Sequence, residues 1–249
     1  MTTRTTASFA VMGIACLATM GAIAQDDQGG SYIYTTYHYC DSSRQDRIDE
    51  IVEKLDKPIY DAAVDDGTIT AWGYLAHHTG GKWRRAQYSM APTLEGLFAA
   101  QEVINGKIDA KNEKLGKEAA SICSSHDDYI WRLIAGNEDA GQRGAIGFSV
   151  YYVCDGREDQ ADALVKTALA PIYNRLLSEG KLVSWGWAEH IVGGEYRRLA
   201  TMTAKDLPTL MKARSEAVAA VDGDALGEVF GEICSSHRDY IWEIRHEKG

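Results

Sequence analysis

The chain has 249 residues, of which 45% are hydrophobic and 25% charged, a composition typical of an ordinary globular protein. Lys and Arg total 26 against 36 Asp and Glu, which gives a formal net charge of −10 at pH 7. A chain this acidic repels the phosphate backbone of nucleic acids and anionic membrane surfaces, so we expect neither as a partner.

The first 24 residues differ from the rest. Arg4 precedes an apolar run, Phe9 to Ala24, which ends in small residues before Gln25. This pattern is typical of a secretory signal peptide cleaved after Ala24, and the run is too short to span a bilayer comfortably. We therefore expect a periplasmic or secreted protein with no membrane contact after cleavage. Its mature chain would start with a disordered stretch over residues 25–31.

The mature chain then opens with a predicted strand and helix. The run from Tyr32 to Cys40 is rich in aromatic and β-branched residues, which favours a strand. Apolar residues at helical spacing follow, from Ile48 to Ala62. Pro58 interrupts them, and we expect a kink or a new helix start there because proline breaks the helical hydrogen-bond pattern.

A hairpin, a helical region and a last strand complete this unit. The strand-like runs 68–78 and 82–90 flank Gly80-Gly81, which suits the positive φ angles of a tight turn. Thr93 caps a second helical region, and residues 128–134 form the last predicted strand. The predicted order is therefore β-α-β-β-α-β.

The same pattern occurs again in the second half. Ile122–Trp131 returns as Ile233–Trp242, with nine of ten positions identical. A Gly-rich polar stretch, residues 135–145, separates the two copies as a linker. We predict an internal duplication, with a first repeat over residues 32–134 and a second over residues 146–249.

This doubled order resembles the dimeric α/β-barrel superfamily, in which two four-stranded ferredoxin-like sheets pack face to face. The resemblance covers nearly all of residues 32–246 and rests on element order and duplication. It implies an α+β fold with two βαββαβ repeats packed on each other as a pseudo-dimeric α/β barrel. The superfamily includes small monooxygenases, haem-binding and haem-degrading enzymes, and proteins without known activity. It therefore implies a fold more strongly than a function.

Four cysteines remain after the predicted cleavage, two in each repeat: Cys40, Cys123, Cys154 and Cys234. In the ferredoxin-like arrangement the first and last strands are antiparallel neighbours, which brings Cys40 to Cys123 and Cys154 to Cys234. An oxidising compartment favours disulfides, each worth about 4 kcal/mol by loop-entropy arithmetic. The alternative is a metal site, because Cys-Ser-Ser-His has ligand-like spacing, but export favours the disulfides.

The binding-site candidates lie on the two predicted hairpins, and they are Trp72, His77, Arg84, Trp185, His190 and Arg197. A Gly-Gly turn places each His opposite an Arg. Alternation puts the His residues on a face of small residues, which would leave room between sheet and helices for a flat ligand. Alternatively, small residues let the helices pack closely, and the His–Arg pairs are polar hairpin ends. We expect the Trp face to form the interface between the two halves.

Two functions remain open. The first is an exported small-molecule-binding or interaction module of unknown ligand. The alternative is a haem-handling or monooxygenase-like oxidoreductase that uses the His and Arg residues of the hairpins, and haem is the cofactor that the resemblance implies. The sequence contains no nucleophile elbow, phosphate-binding glycine loop or zinc-protease helix. The duplicated Ser-Ser-His runs are interpreted as bonding loose backbone groups between helix and strand.

Overall fold

The computed structural model describes residues 30–137 and 143–249. The predicted signal peptide, residues 1–24, lies outside this part, as do residues 25–29 of the predicted disordered start and residues 138–142 of the predicted linker. Across the two described ranges, no helix is both long enough and apolar enough to cross a bilayer.

Each repeat consists of four strands and four helices in the predicted order. The first repeat contains β1 (Tyr32–Cys40), α1 (Gln45–Ile51), α2 (Lys57–Asp65), β2 (Ala71–Gly80), β3 (Arg85–Ala91), α3 (Leu94–Lys111), α4 (Glu113–Ile122) and β4 (Cys123–Gly136). The second contains β5 (Ile146–Val153), α5 (Glu158–Leu164), α6 (Ala170–Ser178), β6 (Ser184–Val192), β7 (Arg198–Ala204), α7 (Leu207–Ala219), α8 (Ala225–Ile233) and β8 (Ser236–Lys248). The strand predicted over residues 128–134 is longer because it pairs with β1 back to Cys123.

A five-residue π-helical turn joins the first two helices of each repeat, at Val52–Asp56 and at Val165–Leu169. Pro58 and Pro171 follow within the first two positions of the next helix. Proline lacks a backbone N–H, and the wider π turn lets the helix continue past it. The break predicted at Pro58 is therefore a widened turn.

The eight strands close into one barrel, in the order β1-β3-β2-β8-β5-β7-β6-β4. The last strand of each repeat pairs with the first strand of its own repeat and with the second strand of the other, so β4 joins β6 and β8 joins β2. These last strands have 14 and 13 residues, long enough to serve both neighbours. The two sheets are thus continuous at both edges, rather than only packed face to face.

Aromatic side chains from both repeats fill the barrel interior: Tyr37, Trp83, Tyr129, Trp131, Tyr151, Tyr196, Tyr240 and Trp242. Trp83 stacks between Tyr37 and Tyr240, with ring centroids 4.2 and 5.0 Å away. An eight-stranded barrel is just wide enough for side chains to fill, and a cavity of about 80 Å³ remains. This cavity is too small for a large ligand.

The two hairpin faces are the reverse of the sequence interpretation. Trp72 lies beneath the helices of its own repeat, fully buried, and its Nε1 donates to Asp61 Oδ1 at 2.9 Å. The small-residue face points into the barrel, where a Cβ on Gly73 would overlap the Tyr88 ring. The aromatic rings already fill the barrel interior, so the hairpin contributes small residues on that face. On the opposite face, large residues fill the space between the sheet and its helices.

Two disulfides tie each first strand to the start of its last strand. Cys40 bonds Cys123 and Cys154 bonds Cys234, at sequence separations of 83 and 80. These are the predicted pairs, and they leave no free thiolate in the duplicated Cys-Ser-Ser-His runs. Within residues 30–137 and 143–249, no group of three or more His, Cys, Asp or Glu is arranged to hold a metal ion.

Candidate functional site

The predicted His–Arg pairs form at the ends of both hairpins. The His77 N–H donates to the Arg84 carbonyl at 3.0 Å, and Arg84 Nη1 lies 2.9 Å from His77 Nδ1. His190 and Arg197 repeat this geometry, with the same Nη1–Nδ1 distance of 2.9 Å. A guanidinium only donates, so each Nδ1 accepts. Burial, and then the adjacent Arg charge, lowers the pKa of both imidazoles.

Each His ring also packs against the last strand of the other repeat. His77 meets Tyr240 and Trp242 edge-on, with ring centroids 6.2 Å apart in both cases, and His190 makes the equivalent contacts on β4. The Gly-Gly turn is needed because a Cβ on Gly81 would overlap the Tyr240 hydroxyl. The pairs thus join the two repeats, and a ligand role for them stays a prediction.

The two Trp candidates lie between sheet and helices. Trp72 stacks on Tyr60 at 5.0 Å between ring centroids. Trp185 lies 5.1 Å from Tyr173, and its Nε1 donates to Asn174 Oδ1 at 3.0 Å. The structure gives both indoles a packing role, and ligand contact by them also stays a prediction.

A largely apolar cavity lies between the sheet and the helices of the second repeat, with a volume of about 250 Å³. Its walls come from β5, the second π turn, α7 and α8, and they include Phe148, Tyr152, Leu169, Ala217 and Phe230. Ala217 occupies the position that Ile104 holds in the first repeat, where the larger side chain is fully buried. The smaller residue leaves space that the first repeat fills.

Three polar side chains stand at one end of this cavity. The Arg214 guanidinium carbon lies 4.8 Å from the centre of the Phe148 ring, and Arg214 Nη2 lies 3.7 Å from Asp239 Oδ2. His237 Nε2 lies 3.5 Å from Asp239 Oδ1. That oxygen is buried and accepts no hydrogen bond from the described residues. A ligand hydroxyl or N–H placed there would supply the hydrogen bond that this oxygen lacks.

Sequence interpretation missed this cavity. Its polar end includes His237 and Asp239, which belong to the duplicated motif that was interpreted only as a structural element of the fold. The signal available was the His-x-Asp spacing in both copies, since His126 and Asp128 stand at the matching positions. Asp128 Oδ1 is likewise buried without a hydrogen-bond partner in the described part of the chain.

Haem, the cofactor that the fold family implies, does not fit this cavity. The imidazole that lines the cavity is that of His237. Its side chain is 50% exposed and lies at the rim beside Asp239, rather than inside the cavity where it could hold the iron. The volume of about 250 Å³ lies below the roughly 300–1,000 Å³ of pockets for drug-sized ligands, and a porphyrin is larger than such ligands. The residues of this cavity therefore do not form a haem site.

No protein-family model matches the chain, and no curated protein matches it in sequence. An anthrone oxidase-like protein of known structure aligns with a TM-score of 0.53 and 12% identity, over 88% of this chain and 93% of that one. A proposed monooxygenase from Lactobacillus acidophilus gives 0.60 and 7%, over 88% and 96%. A mutant chlorite dismutase from Candidatus Nitrospira defluvii gives 0.54 and 11%, over 88% and 92%. The chain therefore has the fold of the dimeric α/β-barrel proteins, with both halves in one polypeptide.

Proposed function

We propose that this is an exported protein that binds a compact, flat and largely apolar organic molecule between the sheet and helices of its second repeat. The observation that carries the proposal is the cavity of about 250 Å³ with aromatic walls and a polar end formed by Arg214 and Asp239. Export is supported by the signal-like start of the sequence and by the two disulfides.

The lining selects the chemical class of the ligand. Aromatic rings on the walls favour a flat ring system, because offset and edge-on ring contacts stabilise beyond the area that they bury. The guanidinium of Arg214 would donate to a ligand oxygen, and Asp239 Oδ1, which accepts no hydrogen bond from the described residues, would accept from a ligand hydroxyl. A fused-ring aromatic ketone or phenol has these features. The name of the anthrone oxidase-like structural neighbour points to the same class, since an anthrone is a fused-ring aromatic ketone.

Binding of anthrone to the oxidised mature protein, measured by isothermal titration calorimetry, tests the proposal. We expect one equivalent to bind. The Ala217→Ile variant, which introduces the residue of the first repeat, should weaken binding by about tenfold or more because its added carbons fill the cavity. The same change at Ala219, exposed on the same helix, is the matched control and should have no effect.

Haem is titrated in parallel and followed by its visible absorption. We expect no shifted Soret band. Absence of anthrone binding, or binding that Ala217→Ile leaves unchanged, would overturn the proposal. A stoichiometric haem complex would instead support the oxidoreductase alternative.

A further inference from the structure

The first repeat has its own cavity of about 240 Å³, which partly overlaps the position of the other cavity within the repeat and extends to the disulfide. It lies beside the disulfide, between β1, the first π turn and α4, where it is lined in part by Ala119 and Cys123. In the second repeat Phe230 stands at the position of Ala119 and packs against Tyr152 and Trp187, with ring centroids 5.4 and 6.0 Å away. Phe230 thus takes up space that Ala119 leaves open, while both residues line the cavity of their own repeat.

Two ionisable side chains line this cavity without a hydrogen bond to any described residue. They are His38, from β1, and Asp56, from the π turn. The matching positions of the second repeat hold Tyr152 and Leu169. Removing a polar group from bulk water without giving it a partner is costly, and such groups are normally satisfied by protein, water or ligand. A ligand that bonds both would satisfy two polar groups that line one small cavity and that no described residue satisfies.

Both side chains are uncharged in mildly acidic solution. Burial raises the pKa of Asp56 to about 7, and the charge of Lys111 offsets this only in part. Burial lowers the pKa of His38 to about 4, helped by His126 and opposed by Asp128. At pH 6 the cavity therefore presents a protonated carboxyl and a neutral imidazole.

The other charged groups at the cavity are already paired. Arg85 Nη2 donates to Asp49 Oδ2 at 2.9 Å and its Nε donates to Oδ1 at 2.6 Å. His126 Nε2 lies 3.2 Å from Asp128 Oδ2. The site thus offers no unpaired charge to an ionic ligand, and it favours a neutral one.

We propose that this cavity is a second binding site, for a small uncharged carboxamide. The Asp56 carboxyl donates to the amide oxygen, and the His38 imidazole accepts from the amide N–H. A carboxamide carries an acceptor and a donor side by side, which complements a donor and an acceptor that face the same space. This site is separate from the apolar cavity of the second repeat, and the inference does not depend on the function proposed there.

Three probes of nearly the same shape test the site: neutral benzamide, anionic benzoate and cationic benzamidine. Amide chemical shifts of the isotope-labelled mature protein are followed at pH 6. We expect benzamide to shift resonances around His38 and Asp56, and the two charged probes to bind about tenfold more weakly or less, because burying an unpaired charge is costly. Equal binding of all three, or no shift with benzamide, would overturn the proposal.

Variants that carry the residues of the second repeat provide the matched test. Asp56→Leu and His38→Tyr should each abolish the benzamide-induced shifts around this cavity, while Ala217→Ile in the other cavity should leave those shifts unchanged. Wild-type affinity should fall as the pH rises through about 7, and Asp56→Asn, whose amide is neutral at every pH, should bind with no such fall. Binding that is unaffected by Asp56→Leu, or an equal fall with pH in Asp56→Asn, would contradict the assignment.

Discussion

The two repeats share one backbone plan and differ in their cavities. In the first repeat a cavity of about 240 Å³ faces His38 and Asp56. In the second a cavity of about 250 Å³ faces aromatic rings, and Tyr152 and Leu169 stand where those two ionisable residues were. Residues of the frame, by which we mean the strand pairing, the Gly-Gly turns and the disulfides, are matched between the repeats, whereas several residues that line the space under the helices are not. The frame and the cavities are thus separable parts of the molecule.

This separation has a physical basis. The frame depends on strand pairing, on the Gly-Gly turns and on the disulfides, and each of these tolerates few residue types. A cavity depends only on whether a few side chains fill the space between sheet and helix. Phe230 takes up space that Ala119 leaves open, and Ala217 leaves space that Ile104 takes up. A duplicated fold can therefore acquire two unlike sites with few substitutions.

Removal of a disulfide should have the largest effect and tests whether the frames are equivalent. Replacing both cysteines by serine, in either repeat, should lower the free energy of unfolding by about 4 kcal/mol, because the closed loops are nearly equal in length. Denaturant unfolding of the two double variants measures this loss. A difference between them well outside experimental error would show that the two frames are not equivalent.

Titration of Asp56 should have an intermediate effect on stability. It tests whether only the cavity of the first repeat contains a buried ionisable group of this kind. Its pKa is about 7 in the folded chain against an ordinary value of 3.8, so the folded state holds a proton that the unfolded state releases between these values. Stability is therefore lost as the pH rises from about 4 to 7. The full difference in pKa is worth about 4 kcal/mol, and because the Asp56 side chain is only partly buried we expect about half of it. At pH 8, relative to pH 4, Asp56→Asn should therefore gain about 2 kcal/mol over the wild type.

Denaturant unfolding at the two pH values measures this gain, and the opposite contribution of His38 is common to both proteins. Leu169→Asp is the reciprocal variant. It should introduce the same pH-dependent loss of stability in the second repeat. If the difference between Asp56→Asn and wild type does not vary with pH, the carboxyl is not buried as described.

Replacing Arg214 should have the smallest effect on stability. Arg214→Gln introduces the residue that the first repeat has at position 101, and it removes the contact with Phe148 and the 3.7 Å pair with Asp239. Both charged side chains are about one-third exposed, so the loss should be about 0.5–1 kcal/mol. Thermal unfolding at low and high salt measures it, with Gln101→Arg as the reciprocal control. A loss of several kcal/mol would mean that this end of the cavity belongs to the frame.

Much of the frame was predictable from local patterns. The Gly-Gly turn sets the register that pairs His77 with Arg84, and the strand order brings Cys40 to Cys123. The face of each hairpin that enters the barrel was not predictable, because strand alternation separates two faces without saying which is inside. The cavities were not predictable either. They depend on side chains far apart in sequence, such as Phe148 and Ala217. The distance between such side chains in the folded chain follows from packing and not from any local motif.

β4 and β8 each pair with a strand of the other repeat, and this pairing affects the symmetry of the molecule. A single repeat on its own would leave two strand edges unpaired, and unpaired edges recruit another chain. A linker makes the encounter between the halves intramolecular, at an effective concentration of roughly millimolar or higher. Each half then always meets the other half and not a copy of itself. In a dimer of identical subunits every residue occurs twice. In this chain Asp56 occurs once, so the free-energy cost of burying its carboxyl arises in a single cavity.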